Sequence, residues 1–263
     1  MIKLIVSDMD GTLLNDNKQI DERIHDLLPK MQEKQIRFVV ASGRQYPSLQ
    51  RDFAEHAKDI VIIAENGAFV VQDGKELYYR GMNMEQIHHC LREIAKLPDV
   101  VPLLCAKYCG YTDQKELYDL LTSPKFHYDM RLVEDLSKIT EDVTKVSMIE
   151  VGGRGTTFCY DTLKPNLTEE MTLVISGESC LDTGLKGVTK GTAVQALQKM
   201  WGITPEETLV FGDQFNDVEM FDCAYYSYAM ENAVDGVKQR ARFLAGNNNE
   251  GAVVNVIRAL TGL

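Results

Sequence analysis

The stretch KLIVSDMDGTLL, residues 3–14, passes from a short apolar strand into a turn that carries two carboxylates, Asp8 and Asp10. Gly11 permits a tight turn here, because glycine adopts backbone angles that other residues avoid. In open parallel sheets, ligands bind in the crevice at the carboxyl ends of the strands, so both carboxylates are candidate site residues. Such a pair can bind a divalent metal while one carboxylate stays available for acid–base chemistry. The spacing alone also fits an ordinary polar exit from a strand, where Asp, Gly and Thr are common.

Two more apolar strands end in polar residues, which favours a functional interpretation of the first. The residues that directly follow the strands RFVVA and TLVFG are Ser42, Gly43, Arg44, Asp213, Gln214, Phe215, Asn216 and Asp217. In a fourth segment, GVTKGTAVQALQKM, Lys190 stands at the start of a predicted helix, where its charge adds to the positive end of the helix dipole and favours an anion. Together these segments supply the parts of a phosphoryl-transfer site: a nucleophile, an acid–base group, metal carboxylates, a hydroxyl donor and a cation.

The pattern of apolar residues predicts an α/β fold. Strands of the type KLIVSD, IRFVVAS and DIVIIA alternate with helical patterns, the first of which carries Ile20, Ile24, Leu27, Leu28 and Met31 on one face. The last eighty residues resume this rhythm, so both ends are expected to share one Rossmann-like parallel sheet covered by helices. Residues between them mix helices and strands in an α+β manner. We therefore predict a discontinuous core, residues 1–79 and 183–263, with an inserted α+β domain at residues 80–182.

Composition excludes several classes of function. A chain of 263 residues with 44% hydrophobic residues can bury a large core. Its 39 acidic and 28 basic residues give a net charge of -11, which repels a polyphosphate backbone, so nucleic acid is not expected as a partner. A small anion can still bind where a metal ion or a few cations reverse the local field. The apolar runs are too short to span a membrane, and the N-terminal residues enter a strand without a signal-peptide pattern; a cytoplasmic protein is expected.

The four polar segments, in this order, resemble the motifs of the haloacid dehalogenase superfamily, and within it the Cof-type phosphatases with a large cap domain. They are DMDGTLL from Asp8, ASGR with Ser42, GVTKG with Lys190 and GDQFND from Gly212. The resemblance extends over the whole chain, and it is least specific in residues 80–182, which match the family's inserted cap in position and length. It implies a magnesium-dependent phosphatase that acts on small phosphorylated metabolites, such as sugar phosphates.

The resemblance also implies roles for individual residues. Asp8 is expected to attack phosphorus and form an aspartyl phosphate, and Asp10 to protonate the leaving group and then activate water. Ser42 and Lys190 are expected to hold the phosphoryl oxygens.

Magnesium is expected on the carboxylates of Asp8 and Asp213 and the backbone carbonyl of Asp10, with Asp217 as a further ligand or a supporting residue. Further candidates for substrate binding are Gly43, Arg44, Asn66 and Asn216. The family-like segments AMENA, with Asn232, and NNNEGAV, residues 247–253, belong to the same pattern. Arg44, Asn66 and Asn232 fit a loop-capping role equally well.

Two other functions remain open at this point. A phosphohexomutase of the same superfamily uses the same chemistry, and a catalytically silent protein that binds a phosphometabolite keeps the same fold. Asp10 favours hydrolysis or mutase chemistry, because an acid–base group beside the nucleophile speeds breakdown of the intermediate. The intact set of catalytic residues argues against the silent protein. The sequence around Lys190 does not have the order GxxxxGK[ST], which excludes a P-loop nucleotide triphosphatase.

Overall fold

The computed structural model describes residues 1–124 and 126–263, which form two compact units. Unit 1 comprises Met1–Arg44, Leu49–Tyr79 and Thr189–Leu263, and unit 2 comprises Gln45–Ser48 and Arg80–Val188. Compactness alone does not test the domain limits inferred from the sequence, residues 80 and 182, which stay a prediction.

The described residues contain the following strands and helices, numbered along the chain. The strands are β1 Leu4–Asp8, β2 Arg37–Ala41, β3 Ile60–Ala64, β4 Phe69–Gln72, β5 Lys75–Tyr79, β6 Val100–Ala106, β7 Gly110–Thr112, β8 Met130–Leu132, β9 Val143–Glu150, β10 Met171–Ile175, β11 Cys180–Leu185, β12 Thr208–Gly212, β13 Tyr226–Ala229 and β14 Phe243–Leu244. The α-helices are α1 Arg23–Glu33, α2 Tyr46–Asp52, α3 Met84–Ile94, α4 Lys115–Thr122, α5 Thr156–Leu163, α6 Lys190–Trp201, α7 Val218–Asp222, α8 Asp235–Lys238 and α9 Ala252–Thr261. Short 3-10 helices include Glu65–Gly67, Phe215–Asp217 and Asn248–Glu250.

Unit 1 is built on an eight-stranded sheet with the order β14-β13-β12-β1-β2-β3-β4-β5. The strands from β14 to β3 are parallel, and β4 and β5 add an antiparallel edge. All five residues of β1 are buried, as expected for a central strand covered on both faces. The predicted α/β fold with a parallel sheet is confirmed.

The first helix begins later than its apolar pattern suggested. Its buried face carries Ile24, Leu27, Leu28 and Met31 as predicted, but Ile20 lies outside it and forms a bridge with Leu14. The prediction for Ile20 was wrong because a turn occupies residues 15–19. There the Asn15 side chain accepts hydrogen bonds from the backbone N–H groups of Asn17 and Gln19, and such side-chain contacts compete with helix formation.

Unit 2 contains a six-stranded sheet with the order β10-β11-β9-β6-β7-β8, antiparallel except for the parallel pair β7 and β8. Its main core includes Ile87, Val146 and Leu181, which belong to α3, β9 and β11. A smaller cluster joins Leu103 of β6 to Leu117 of α4. Within residues 1–124 and 126–263, no helix has both the length and the apolar character that a membrane span requires.

Helix α6 starts at a well-defined point, which fixes the position of Lys190. The Thr189 hydroxyl accepts a hydrogen bond from the backbone N–H of Thr192, and the Thr192 hydroxyl accepts one from the N–H of Thr189. This reciprocal cap makes Lys190 the first residue of the helix. The next residue, Gly191, packs closely on α7, because a Cβ atom at this position would lie 2.6 Å from the backbone of Glu219.

We predict that Gly191→Ala destabilises the protein by about 1–3 kcal/mol, since the added methyl group forces α6 and α7 apart. Alanine is more favourable than glycine inside a helix by about 1 kcal/mol, so the cost of the clash must exceed this gain for the variant to be less stable. Gly246→Ala is the matched control, because its Cβ would find its nearest neighbour at 3.4 Å, an ordinary contact. Urea unfolding measures both variants, and equal midpoints for Gly191→Ala and the wild type would contradict the prediction.

Candidate active site

Three neighbouring strands of unit 1 deliver the candidate site residues to one edge of the sheet. β1 pairs with β2 and with β12 in parallel, with Asp8 opposite Ala41 and Ser7 opposite Phe211. Asp8 therefore ends β1 at the level where Ser42 follows β2 and Asp213 follows β12. The side chains of Asp8, Ser42 and Asp213 are all buried there.

Lys190 joins two of the carboxylates from the start of α6. Its ammonium nitrogen Nζ donates to Asp8 Oδ1 at 2.5 Å and to Asp217 Oδ1 at 2.7 Å. The lysine is only 1% exposed, and burial alone would lower its pKa. The two carboxylates outweigh burial and raise the pKa of Lys190, so the group stays charged.

The loop after β1 holds Asp213, and the backbone of the loop after β12 holds Asp217. The Thr12 hydroxyl donates to Asp213 Oδ1 at 3.0 Å. Asp217 Oδ2 accepts hydrogen bonds from the backbone N–H groups of Asp213 and Gln214, at 2.9 and 3.0 Å. Gly11 has a φ of +79°, and a Cβ there would lie 2.6 Å from Asp213 Oδ2, so only glycine allows this close approach.

In the part of the chain that the structure describes, residues 1–124 and 126–263, Lys190 is the one cation hydrogen-bonded to this group of three buried carboxylates, and its single charge cannot neutralise all three. Oxygens of Asp8, Asp213 and Asp217 lie within 4.8 Å of one another, beside the single ammonium of Lys190. Burial raises the pKa of Asp8 to about 8 although Lys190 opposes this shift, and repulsion from Asp217 adds to it. Burial likewise raises the pKa of Asp213. A divalent cation would relieve this repulsion, and carboxylate oxygens are the ligands that hard cations prefer, so the residues fit a metal ion.

Asp10 lies in a different environment from Asp8. Arg44 binds it with two hydrogen bonds, from Nε to Oδ2 at 2.7 Å and from Nη2 to Oδ1 at 2.5 Å. Lys18 Nζ donates to Oδ1 at 2.8 Å. Burial would raise the pKa of Asp10, but the hydrogen bonds from Arg44 and Lys18 together lower it.

This arrangement of Asp10 was not predicted. Arg44 lies on the Asp10 carboxylate and, through Nη1, on Asp52 at 3.2 Å, and its expected role in substrate binding stays a prediction. Lys18 was not a candidate, because it follows Asp10 by eight residues in a polar turn and belongs to no recognisable pattern. Its φ of +61° places it in the left-handed region, which the sequence gives little reason to expect of a lysine.

The remaining substrate-binding candidates lie together beside Ser42. The Ser42 oxygen accepts a hydrogen bond from the backbone N–H of Arg44 at 3.2 Å, which leaves its proton available to donate. Asn216 Nδ2 donates to Asn66 Oδ1 at 3.0 Å, and a Cβ on Gly43 would lie 3.1 Å from the Asn66 amide. The structure therefore brings these residues together, while their roles stay predictions.

Comparison with known proteins connects this site to a family. Residues 5–257 match the model of the haloacid dehalogenase-like hydrolases. The Escherichia coli 5-amino-6-(5-phospho-D-ribitylamino)uracil phosphatase YbjI is 35% identical over 97% of this chain and 95% of its own length. The Bacillus subtilis enzyme YitU, which has the same substrate in its name, is 26% identical over 97% of this chain and 96% of its own.

Solved structures give the same result for the fold. A Streptococcus mutans protein superimposes with a TM-score of 0.86 at 31% identity, covering 100% of both chains. A Thermotoga maritima protein does so with a TM-score of 0.87 at 27% identity, covering 98% of this chain and 97% of its own.

The carboxylate cluster predicts how stability depends on pH in metal-free protein. The pKa of Asp8 rises from 3.8 to about 8 on folding, so the fold favours its protonated form. The Asp8 contribution to the free energy of unfolding is therefore retained below pH 3.8 and lost as the pH rises towards 8. Asn cannot ionise at this position. As the pH rises through this window, we therefore expect the free energy of unfolding of the wild type to fall by at least about 1.4 kcal/mol more than that of Asp8→Asn.

Denaturant unfolding in chelator at pH 5 and pH 8 measures this difference. A saturating divalent cation should reduce this difference, because a cation at the three carboxylates would favour the ionised form of Asp8. Identical pH dependence in Asp8→Asn and the wild type would show that Asp8 ionises in the fold without cost.

Proposed function

The chain belongs to the haloacid dehalogenase-like hydrolase family and is a phosphatase of that family, and we propose that it uses magnesium and an aspartyl phosphate on Asp8 to hydrolyse a small phosphorylated metabolite. The membership confirms the resemblance drawn from the four motifs. The observation that carries the proposal is the buried cluster in which Lys190 binds both Asp8 and Asp217, with Asp213 beside them.

In the proposed first step, an Asp8 oxygen forms a bond to phosphorus while the bond between phosphorus and the ester oxygen breaks. Asp10 gives its proton to the departing oxygen. In the second step, water bonds to phosphorus, the bond between Asp8 and phosphorus breaks, and Asp10 takes the proton from the water. The products are the alcohol and inorganic phosphate. Lys190 supports both steps, because its charge reduces repulsion between Asp8 and the anionic phosphoryl group.

The donor set suits magnesium. The Asp8 and Asp213 carboxylates and the Asp10 backbone carbonyl would hold the ion, which supplies positive charge for the phosphoryl oxygens when bound. Both oxygens of Asp217 already accept hydrogen bonds, Oδ1 from Lys190 and Oδ2 from backbone N–H groups, which favours a supporting role for Asp217.

Ser42, Asn66 and Asn216 are proposed to bind the phosphoryl group. Ser42 has a hydroxyl proton to donate, and the Asn216 amide already meets Asn66. Gly43 keeps the backbone beside Asn66 free of a side chain. Arg44 is proposed to act mainly through Asp10, because two of its nitrogens are bound there.

The relatives suggest which metabolites to test first. Two of them are named as 5-amino-6-(5-phospho-D-ribitylamino)uracil phosphatases, and a Klebsiella pneumoniae relative at 27% identity is named as an HMP-PP phosphatase. We propose the ribitylamino-uracil phosphate as the first candidate substrate, with sugar phosphates as the wider class.

A phosphate-release screen over such a panel tests the function. We expect release of inorganic phosphate with magnesium, a loss of at least about a hundredfold in excess chelator, and inhibition by calcium. Calcium takes a larger and looser coordination shell than in-line transfer tolerates. Full turnover in chelator would contradict the role of the metal, and interconversion of hexose phosphates without phosphate release would indicate a mutase.

Substitution of the two aspartates tests the mechanism. Asp8→Asn should lower turnover by more than about a thousandfold, or roughly 4 kcal/mol of barrier, because an amide is a poor nucleophile and metal ligand. Asp10→Asn loses proton transfer, typically about a hundred- to ten-thousandfold, but keeps the nucleophile. With an activated aryl phosphate, whose leaving group needs no proton, this variant should accumulate phosphoenzyme.

Acid-quenched mass spectrometry of Asp10→Asn should then place one phosphate on the peptide that contains Asp8. Asp235→Asn is the matched control, because this carboxylate is 94% exposed. A phosphate on Ser42 or on a histidine would overturn the mechanism.

A further inference from the structure

We propose that Asn248 is a positioning residue that holds the loop of Asp8 and Asp10 in its reactive conformation from the C-terminal segment of the chain. The proposal rests on the proposed function, because it concerns the loop that carries the proposed nucleophile and acid–base group. Asn248 lies on the short 3-10 helix Asn248–Glu250, far along the sequence from residues 8–16. Its side chain is 4% exposed, which makes it a buried polar group in need of partners.

The loop after β1 folds back on its own start. The backbone N–H of Leu13 donates to the carbonyl of Asp8 at 3.2 Å, and the N–H of Leu14 donates to the carbonyl of Met9 at 2.8 Å. These bonds close residues 8–14 into a turn that contains Asp10. The carbonyl groups of Gly11 and Leu14 bind outside the turn.

Asn248 fixes the far end of this turn through its side chain. Nδ2 donates to the carbonyl of Leu14 at 3.0 Å and to Asp16 Oδ1 at 3.2 Å. The neighbouring Asn249 adds a second pair of contacts, since its Oδ1 accepts from the Asp16 N–H and its Nδ2 donates to Asp16 Oδ2, both at 3.0 Å.

The Asn232 side chain holds the near end, and the Asn248 backbone orients it, so this contact remains in Asn248→Ala and is removed in Asn232→Ala. The backbone N–H of Asn248 donates to Asn232 Oδ1 at 3.1 Å, and Asn232 Nδ2 donates to the carbonyl of Gly11 at 2.7 Å. The Asn232 side chain thus accepts in the first of these bonds and donates in the second. The Asn232 amide can therefore adopt one orientation only, because a flip would place its oxygen against the Gly11 carbonyl and its NH₂ against an N–H.

The consequence for chemistry follows from the position of Asp10, which directly precedes Gly11. There is no room for a Cβ between Gly11 and Asp213, because such an atom would lie 2.6 Å from Asp213 Oδ2. The Asn232 side chain holds the Gly11 carbonyl. Loss of this support would let the Asp10 carboxylate and backbone carbonyl move by a fraction of an ångström to an ångström. Misplacement on this scale can lower the rate of a chemical step by about a hundredfold without a large change in substrate binding.

The test compares Asn248→Ala with Asn255→Ala. Asn255 belongs to the same C-terminal part of the chain, but its side chain binds Arg23 and the carbonyl of Glu250, not residues 8–16. With an activated aryl phosphate, Asn248→Ala should lower kcat by about ten- to a hundredfold and change KM by less than about threefold. Hydrogen–deuterium exchange of residues 9–16 should accelerate at least tenfold in the folded variant. Asn255→Ala should change neither quantity.

Asn232→Ala supplies a second variant, because Asn232 is exposed and its loss should not prevent folding. It should shift kcat and exchange in the same direction. The proposal is overturned if exchange of residues 9–16 is unchanged in both Asn248→Ala and Asn232→Ala. It is also overturned if the kcat of both variants stays within twofold of the wild-type value. If the wild type releases no phosphate from any substrate, the proposed function fails, and the exchange measurement still decides whether Asn248 holds the loop.

Discussion

The buried ammonium of Lys190 is the interaction on which the rest of the site depends. It lies between Asp8 and Asp217, and without it the carboxylates that end β1 and follow β12 would face each other in a medium of low polarity. Removing one partner of a buried pair typically costs about 3–5 kcal/mol, because the remaining charge is left uncompensated. Two local features fix the position of Lys190. A reciprocal cap between Thr189 and Thr192 begins α6 at this residue, and Gly191 lets the helix approach α7 closely.

One ammonium cannot neutralise three carboxylates, and this imbalance connects stability to ligand binding. The sheet brings Asp8, Asp213 and Asp217 together, and burial then favours a proton on Asp8. A divalent cation and a proton would therefore compete for the same site, so binding of the cation and ionisation of Asp8 would support each other by linkage. The state in which Asp8 is ionised, as its proposed role as a nucleophile requires, is the state that a bound cation would stabilise.

Sequence reasoning reached the parts of this arrangement that depend on short-range pattern. Buried strands, the apolar face of α1 and the polar residues at strand ends follow from periodicity and from the geometry of parallel sheets, and the predicted fold is confirmed. Contacts that depend on loop conformation were out of reach. Lys18 binds Asp10 from a backbone conformation in the left-handed region. Asn248 binds the Leu14 carbonyl, although more than two hundred residues of sequence separate them. No spacing rule encodes such contacts, because they arise only once the chain has packed. For the same reason the assignment of Ile20 to the first helix was wrong, because the turn at residues 15–19 brings Ile20 into a bridge with Leu14.

The environment of Asp10 bears on the balance between the two proposed steps. Arg44 and Lys18 bind its carboxylate and favour the ionised form, which is the form that accepts a proton from water. To act first as an acid, Asp10 must hold a proton on one oxygen, and that protonated oxygen is a poorer acceptor for its hydrogen bond from Arg44 than a carboxylate oxygen is. The contacts of Asp10 thus favour the second step over the first. In the proposed mechanism an aspartyl phosphate would be broken down quickly once formed, and cleavage of the substrate ester, whose leaving group needs the proton, would set the rate.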